Sequence, residues 1–465
     1  MDLIVVGGGR LSRSYFENVF QLPAVGLLSE TAAYELVRRG ERELIQSGLF
    51  DVSETGLDLN VRKSSAGRYE LVLNVEGKVK RILTAKAEGN VQGRLGGTGL
   101  NGVVELAFRS PFGLGEKISF EQGCNQHGEP TATWSVYHPF LIPQSDVFGD
   151  RSFKMSFSRS FEDRIHMQSI FAKQTALCID LIPKVENGLT ISAGALLGDA
   201  NPTSSVKLQE CSASAGLLSA FAAHSKVYVS MGKLLQTKGG HVGCSLEIAL
   251  PGGASRFLKS ELFGLSRWSL GSLMGLEPST PLGQYCHRVS ASVAGAGGVI
   301  VPLSILQRNA TLRPPSLMDR FYLGGPNSIR GFESLGLGPR SLAPHSGDRG
   351  DAVGGIGKLS AVVILQLPCP TLPKHARYNE FLQTCDSSRL FFALSGGWLQ
   401  SPHSWQSRQS QLFSAMSSEV RVSASIGVTL PLPHMGGELT LTYSLPLKAA
   451  SSDVLKHWQL GFSIN

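Results

Sequence analysis

Glu438-Leu439-Thr440-Leu441-Thr442-Tyr443-Ser444-Leu445 alternates polar and apolar side chains without a break. Successive side chains of an extended chain point to opposite faces. Leu439, Leu441, Tyr443 and Leu445 therefore share one face of a strand, and Glu438, Thr440, Thr442 and Ser444 share the other. A helix would spread the same apolar residues around its circumference, so the period of two argues against one. What the apolar face of this strand meets decides the fold.

Working outward, the same period recurs over most of the chain. Trp458, Leu460, Phe462 and Ile464 oppose Gln459, Gly461, Ser463 and Asn465. Val420, Val422, Ala424, Ile426 and Val428 oppose Arg421, Ser423, Ser425 and Gly427. Leu246, Ile248 and Leu250 oppose Ser245, Glu247 and Ala249, and Phe153, Met155 and Phe157 oppose Ser152, Lys154, Ser156 and Ser158. Val104, Leu106 and Phe108 oppose Glu105, Ala107 and Arg109. In a soluble sandwich such apolar faces meet a second sheet. In a membrane barrel they meet lipid, and the polar faces line a wet lumen. The lipid setting demands closure, because an open edge leaves backbone groups unpaired in hydrocarbon. From residue 89 onward there are about 375 residues. At roughly 20 to 25 per strand and connection they make on the order of 16 strands. Periodicity alone leaves both settings open.

Composition narrows them. Of 465 residues, 42% are hydrophobic and only 17% charged, a low charged share for a soluble protein, and 53 are glycine. No apolar run approaches the ~18 residues of a transmembrane helix. The net charge of +7 comes from scattered Lys and Arg, with no run of five or six, which reads as a solvated basic surface and not as a nucleic-acid patch. The seven cysteines, at 124, 178, 211, 244, 286, 369 and 385, form no C-x-x-C pair, so neither a disulfide framework nor a zinc site is expected. Leu3 to Val6 is too short for the apolar core of a signal peptide, which favours an organelle over bacterial secretion.

The first 88 residues have a different texture. Leu3 to Val6 reads as a short buried strand, and Tyr15, Phe16, Val19 and Phe20 fall at helical spacing. Ser29 is a plausible N-cap for a second helix with Ala33, Leu36, Val37, Gly40 and Leu44 on one face and Gly48 at its stop. Leu57, Leu59 and Val61, then Tyr69, Leu71, Leu73 and Val75, alternate as strands. The expectation is a small β-α-α-β-β domain over 1–88 and a sheet domain over 89–465.

Catalytic motifs are lacking. Gly7-Gly8-Gly9 follows a strand, but Ser12 stands where a dinucleotide loop needs its third glycine. Before Gly357-Lys358, Ala352 replaces the first glycine of a phosphate loop, and Leu359 stands where Ser or Thr must reach magnesium. G-x-S-x-G and H-E-x-x-H do not occur. No enzyme activity, cofactor or metal is expected.

One segment stands out. Asp319-Arg320-Phe321-Tyr322-Leu323-Gly324-Gly325-Pro326-Asn327-Ser328-Ile329-Arg330-Gly331-Phe332 lies between loop-like flanks. It resembles the inward-folded loop motif Gly-Gly-x-x-x-x-Arg-Gly-Phe of the BamA-type outer-membrane barrel-assembly superfamily. Gly325, Arg330, Gly331 and Phe332 match that motif in place, with Gly324 beside them. Asn101 to Glu121, with its turn at Arg109 to Glu116, resembles the family's first barrel hairpin. Residues 1–88 resemble one polypeptide-transport-associated (POTRA) domain, including the Ser47-Gly48-Leu49-Phe50 step. One such domain is the pattern of the core barrel subunit of the mitochondrial sorting and assembly machinery (SAM).

The resemblance implies a membrane β-barrel of about 16 antiparallel strands preceded by one α+β POTRA domain in the intermembrane space. It implies an insertase of the mitochondrial outer membrane, acting on unfolded β-barrel clients, in contact with outer-membrane lipid and accessory subunits, with no nucleic acid. A translocation pore and a soluble β-sandwich binding protein are the alternatives. Arg330 is expected in the lumen, where a planar guanidinium makes several fixed hydrogen bonds to the wall. Relatives place an acidic group there, whereas the aligned positions hold Ile364 and Leu394. The lateral seam is expected between the first barrel strand, with Val104, Leu106 and Phe108, and the last, with Trp458, Leu460, Gly461, Phe462 and Ile464. Gly461 packs no side chain and weakens that strand.

Overall fold

The period-two segments form strands that pair one after another in chain order. The computed structural model describes residues 2–7, 11–20, 38, 40, 44, 49, 57–63, 69–75, 83–94, 97–124, 130–142, 151–164, 168, 170–183, 188–201, 223–237, 239–253, 255–277, 279–303, 315–326, 328–340, 350–368, 388–401, 419–432 and 437–464.

Strand β1 (Asp2–Gly7), helix α1 (Arg13–Phe20) and strands β2 (Leu57–Lys63) and β3 (Tyr69–Val75) come first. β3 is central, with β1 parallel on one side and β2 antiparallel on the other. Tyr15, Phe16, Val19 and Phe20 form one buried stripe on α1. Gly40 and Leu44 are helical and buried, and a Cβ on Gly40 would lie 2.3 Å from the Phe20 ring. That glycine lets the backbone approach α1 closely. Ser29, Ala33, Leu36, Val37 and Gly48 lie outside the described residues.

One sixteen-stranded sheet follows. It contains β4 (Leu83–Arg94), β5 (Gly97–Arg109), β6 (Lys117–Cys124), β7 (Pro130–Ile142), β8 (Arg151–Arg164), β9 (Ile170–Pro183) and β10 (Leu189–Asn201). Next are β11 (Ala223–Thr237), β12 (Gly240–Leu250), β13 (Phe257–Ser269) and β14 (Ser290–Pro302). Then come β15 (Gly357–Pro368), β16 (Arg389–Gln400), β17 (Arg421–Leu432), β18 (Gly437–Lys448) and β19 (Trp458–Ile464). Two short helices, α2 (Leu270–Leu273) and α3 (Pro281–Arg288), interrupt the β13–β14 connection. No described helix is long and apolar enough to cross a membrane. β4 crosses the expected boundary near Gly89, so the sheet begins at Leu83.

The chain forms two units, one of Met1–Asn90, Leu100–Ser160 and Ala176–Ser192, the other of Val91–Gly99, Phe161–Thr175 and Ala193–Asn465. In the first, α1 packs on the β5–β6 turn. Ser12 N–H donates to the Gly113 carbonyl at 2.8 Å, and the Tyr15 ring occupies the space a Cβ on Gly115 would need. The Glu116 carboxylate holds that turn by accepting from Leu114 N–H at 2.8 Å and from Phe112 N–H.

In the second unit the usual order of burial is inverted. Leu394, Leu441, Leu445 and Leu460 are 48–64% exposed, whereas Ser395, Ser423, Thr442, Ser444 and Gln459 are at most 3% exposed. A soluble sandwich would bury the leucine face in a second sheet. Here that face is open along successive strands, as lipid contact requires, and the sandwich alternative fails. The polar face is covered by the chain segment between β14 and β15, and is called the inner face below. Serines tie neighbouring strands across it: Ser395 to Ser423 at 2.7 Å and Ser425 to Ser444 at 2.9 Å.

Candidate functional site

The segment carrying the Gly-Gly and Arg-Gly-Phe motif is described over residues 315–326, 328–340 and 350–356; Asn327 lies outside. It folds back on itself before docking. Phe321 and Gly355 exchange backbone hydrogen bonds at 2.9 Å each, and Gly325 N–H donates to the Phe332 carbonyl at 3.0 Å. Gly324 and Gly325 take φ of 109° and 102°, a region that disfavours a Cβ, and a Cβ on Gly324 would come within 2.4 Å of the Glu333 carbonyl. Phe321, Leu323, Ile329, Phe332 and Leu337 then join Ala249, Phe257, Ile300 and Leu399 of the strands in one apolar core.

The Arg-Gly-Phe tip rests on β17, β18 and β19. Gly331 has φ of 87°, and a Cβ there would meet Ser444 at 3.2 Å, Ser423 at 3.4 Å and Pro446 at 3.4 Å. The pairing of β17 with β18 slips between Val422 and Ser423. Pro446, which has no N–H to give a ladder, is tolerated at such an irregularity. Gln459 grips the tip with both ends of its amide. Its Nε2 donates to the Phe332 carbonyl at 2.6 Å, and its Oε1 accepts from Gly331 N–H at 3.3 Å. The β18–β19 connection adds Lys456 N–H to the Gly331 carbonyl at 3.0 Å and Glu333 N–H to the Val454 carbonyl at 2.8 Å. Asp453 joins Arg421 of β17 at 3.0 Å and accepts from Gly338 N–H at 3.0 Å.

Arg330 differs from the expectation of a hydrogen-bonded fork. Its guanidinium lies 5.1 Å from the centre of the Phe391 ring, a cation–π contact, while its carbonyl accepts from Ser423 Oγ. Its buried Nε has no hydrogen-bond partner among the described residues. Leu394 points to the exposed face and cannot serve as partner, because in β16 the inner positions are Phe391, Ala393 and Ser395. Burial lowers the pKa of Arg330 from the usual arginine value.

Charges anchor the other end of the loop. Lys226 bridges Glu247 at 2.6 Å and Asp319 at 2.8 Å. Glu261 bridges Lys259 and Lys358, whose ammonium groups lie 4.8 and 4.6 Å from the centre of the Phe321 ring. Arg320 donates to the carbonyls of Pro315 and Val353 at 3.0 Å each, and Gln168 donates to the Ala352 carbonyl at 2.8 Å. Asp319 and Arg320 belong to the segment that the sequence singles out, but neither they nor Gln168, Lys226, Glu247, Lys259, Glu261, Lys358 and Gln459 are legible there as anchors. For the strand residues among these the one signal is a long polar side chain within an alternating strand.

The expected seam is corrected at one side. Val104, Leu106 and Phe108 do point to the exposed face, but on β5, which has β6 on one side and β4 on the other. The terminal strands of the sheet are β4 and β19. Leu83-Thr84-Ala85-Lys86-Ala87-Glu88-Gly89 alternates too, but with alanine and glycine in the apolar places. Trp458 and Leu460 are exposed on β19, and Gly461 is buried on its inner face, where a Cβ would lie 3.4 Å from Pro326. Phe462 and Ile464 pair with Leu439 and Gly437, and their side chains lie outside the described residues.

Known proteins resemble this chain in sequence and in fold. Sorting and assembly machinery component 50 homolog B of Xenopus laevis is 31% identical over 157 residues, 34% of this chain and 29% of that protein. A SAM50-like protein of Schizosaccharomyces pombe is 30% identical over 243 residues, 50% of this chain and 41% of its own length. The matched parts thus span less than half of each relative. The crystal structure of BamA from Haemophilus ducreyi lacking POTRA domains 1–3 superposes with a TM-score of 0.67 at 14% identity, covering 99% of this chain and 84% of that one. CdiB from Escherichia coli gives 0.53 at 15% identity, covering 99% and 75%. The sixteen strands are therefore a β-barrel of the BamA fold, and its inner face is the lumen. The Omp85 superfamily domain matches residues 232–465, which hold the loop, its lumenal anchors and the last strand, and the chain belongs to the Omp85 superfamily.

Proposed function

We propose that the protein is a non-enzymatic insertase that folds β-barrel clients into the mitochondrial outer membrane by pairing their strands at β4 and β19. An incoming strand carries unpaired N–H and C=O groups, each costly in hydrocarbon. A barrel that lends its own strand edge satisfies them during entry, which is β-augmentation inside a membrane. The observation that carries this reading is the coupling of the loop to the terminal strand. Gln459 of β19 holds Gly331 and Phe332 with both ends of its side-chain amide. A terminal strand tied to a lumenal loop keeps its place in the barrel while its free edge is lent to a client. The names of the relatives, sorting and assembly machinery components, point the same way. Residues 1–82 would be a POTRA domain in the intermembrane space that hands clients over, with accessory subunits around the barrel and lipid against its outer face.

Single cysteines scanned along Leu83–Arg94 and Trp458–Ile464, in a chain stripped of its native cysteines, test the seam. They should crosslink in the resting protein and lose that crosslink when an arrested client occupies the edge. Crosslinks that persist undiminished while clients fold would mean a permanently closed barrel and would shift the reading to a translocation pore.

A further inference from the structure

At the strand ends opposite to those joined by the Arg330 loop, a cleft of about 510 Å³ opens between α3 and the ends of β13 to β16. Arg267 and Trp268 of β13, His287 and Arg288 of α3, and Arg389 of β16 line it. Three guanidiniums thus converge from three separate elements. Arg267 donates to Ser290 Oγ at 3.3 Å and Gln366 Oε1 at 3.0 Å, contacts that orient it and leave its charge in place. Among the described residues, none of the three arginines has a carboxylate partner. The His287 ring bridges the Leu276 carbonyl at 2.9 Å and Ser269 Oγ at 3.3 Å, which fixes α3 over the strand ends. The basic last turn of α3 suits its own helix dipole, but that does not account for Arg267 and Arg389.

The surroundings are apolar and uncovered. Trp268 lies on the same face of β13 as the exposed Leu262 and reaches the cleft from the lipid side. Leu273, Met274, Leu282 and Tyr285 of the α2–α3 insert are all at least half exposed. A water-facing turn has no reason to carry four such side chains. A membrane interface does, because tryptophan, tyrosine and apolar residues settle at headgroup depth and arginines there meet phosphate.

We propose that this cleft binds the phosphate of an anionic phospholipid, with Arg267, Arg288 and Arg389 around the headgroup and Trp268 and the α2–α3 insert beside the acyl chains. The site pins the insert to the bilayer surface at the rim of the barrel.

Native mass spectrometry of the full-length protein, released from micelles containing equal amounts of dioleoyl phosphatidylglycerol and dioleoyl phosphatidylcholine, tests this. The wild type should retain phosphatidylglycerol preferentially. Each of Arg288→Gln and Arg389→Gln should weaken that retention about fivefold, the factor equivalent to about 1 kcal/mol per basic residue at an anionic surface. Arg288→Lys with Arg389→Lys should keep most of it. Leu282→Ser with Tyr285→Ser should reduce it while a heat-shifted gel band shows that the barrel is intact. Equal retention of the two lipids, or indifference to the glutamine variants, would overturn the proposal. Displacement by millimolar inorganic phosphate together with indifference to the serine pair would overturn the lipid assignment and leave a site for free anions.

Discussion

Arg330 and its neighbours show how single residues hold a loop inside a barrel. A guanidinium over an aromatic face contributes about 0.5 to 2 kcal/mol, depending on desolvation. Arg330→Ala and Phe391→Leu should each lower stability by that order, and the double variant should cost less than their sum, because one contact is removed twice. Arg330→Lys should recover much of the loss, since an ammonium can also sit over the ring; the heat-dependent loss of the folded gel band measures all four. Failure of the two single changes to couple would separate Arg330 from Phe391. Gln459→Leu strands the Phe332 carbonyl and Gly331 N–H in a buried place and should cost about 1 to 3 kcal/mol per unsatisfied group. Gly331→Ala should be worse than an ordinary glycine change, because it adds a Cβ at φ of 87° against Ser444 and Ser423. None of the strand partners can be found by looking near the motif. Gln459 lies 127 residues beyond Phe332 and 128 beyond Gly331.

Among the elements, β4 and β19 differ in how plainly they announce themselves. Trp458, Leu460, Phe462 and Ile464 are large, so β19 is obvious from its period. In β4 the same period is carried by alanine and glycine, which add little hydrophobic signal, so a boundary read from texture near Gly89 falls inside the strand. A chain starting at Gly89 would lack half of β4 and should insert poorly, whereas one starting at Leu83 should insert, as read by resistance to alkaline carbonate extraction. Equal insertion of both would show that β4 is dispensable to the barrel. The contact of α1 with the β5–β6 turn is a second test at this scale. Tyr15→Ala removes the ring seated on Gly115 and should raise protease cleavage before Leu83, leaving the barrel's heat-shifted band unchanged.

For the molecule as a whole, the inverted burial of leucine and serine predicts an integral membrane protein. It should stay in the membrane pellet at alkaline pH and migrate faster on gels when unheated. Release into the supernatant with no heat shift would contradict the barrel. This much is legible in the amino-acid sequence alone: the barrel strands, their approximate number, the apolar face of each and the loop motif. Alternation and short motifs are local properties, and an extended backbone converts them directly into faces. Whether the apolar face meets lipid or a second sheet is decided by the exposure of leucines together on neighbouring strands. The first strand of the sheet, the ring beneath Arg330, the grip of Gln459 and the arginine cleft were decided only by tertiary structure. Each depends on register between strands and on a loop returning across the sheet, and those pairings bring together residues whose separation along the chain carries no trace of their contact.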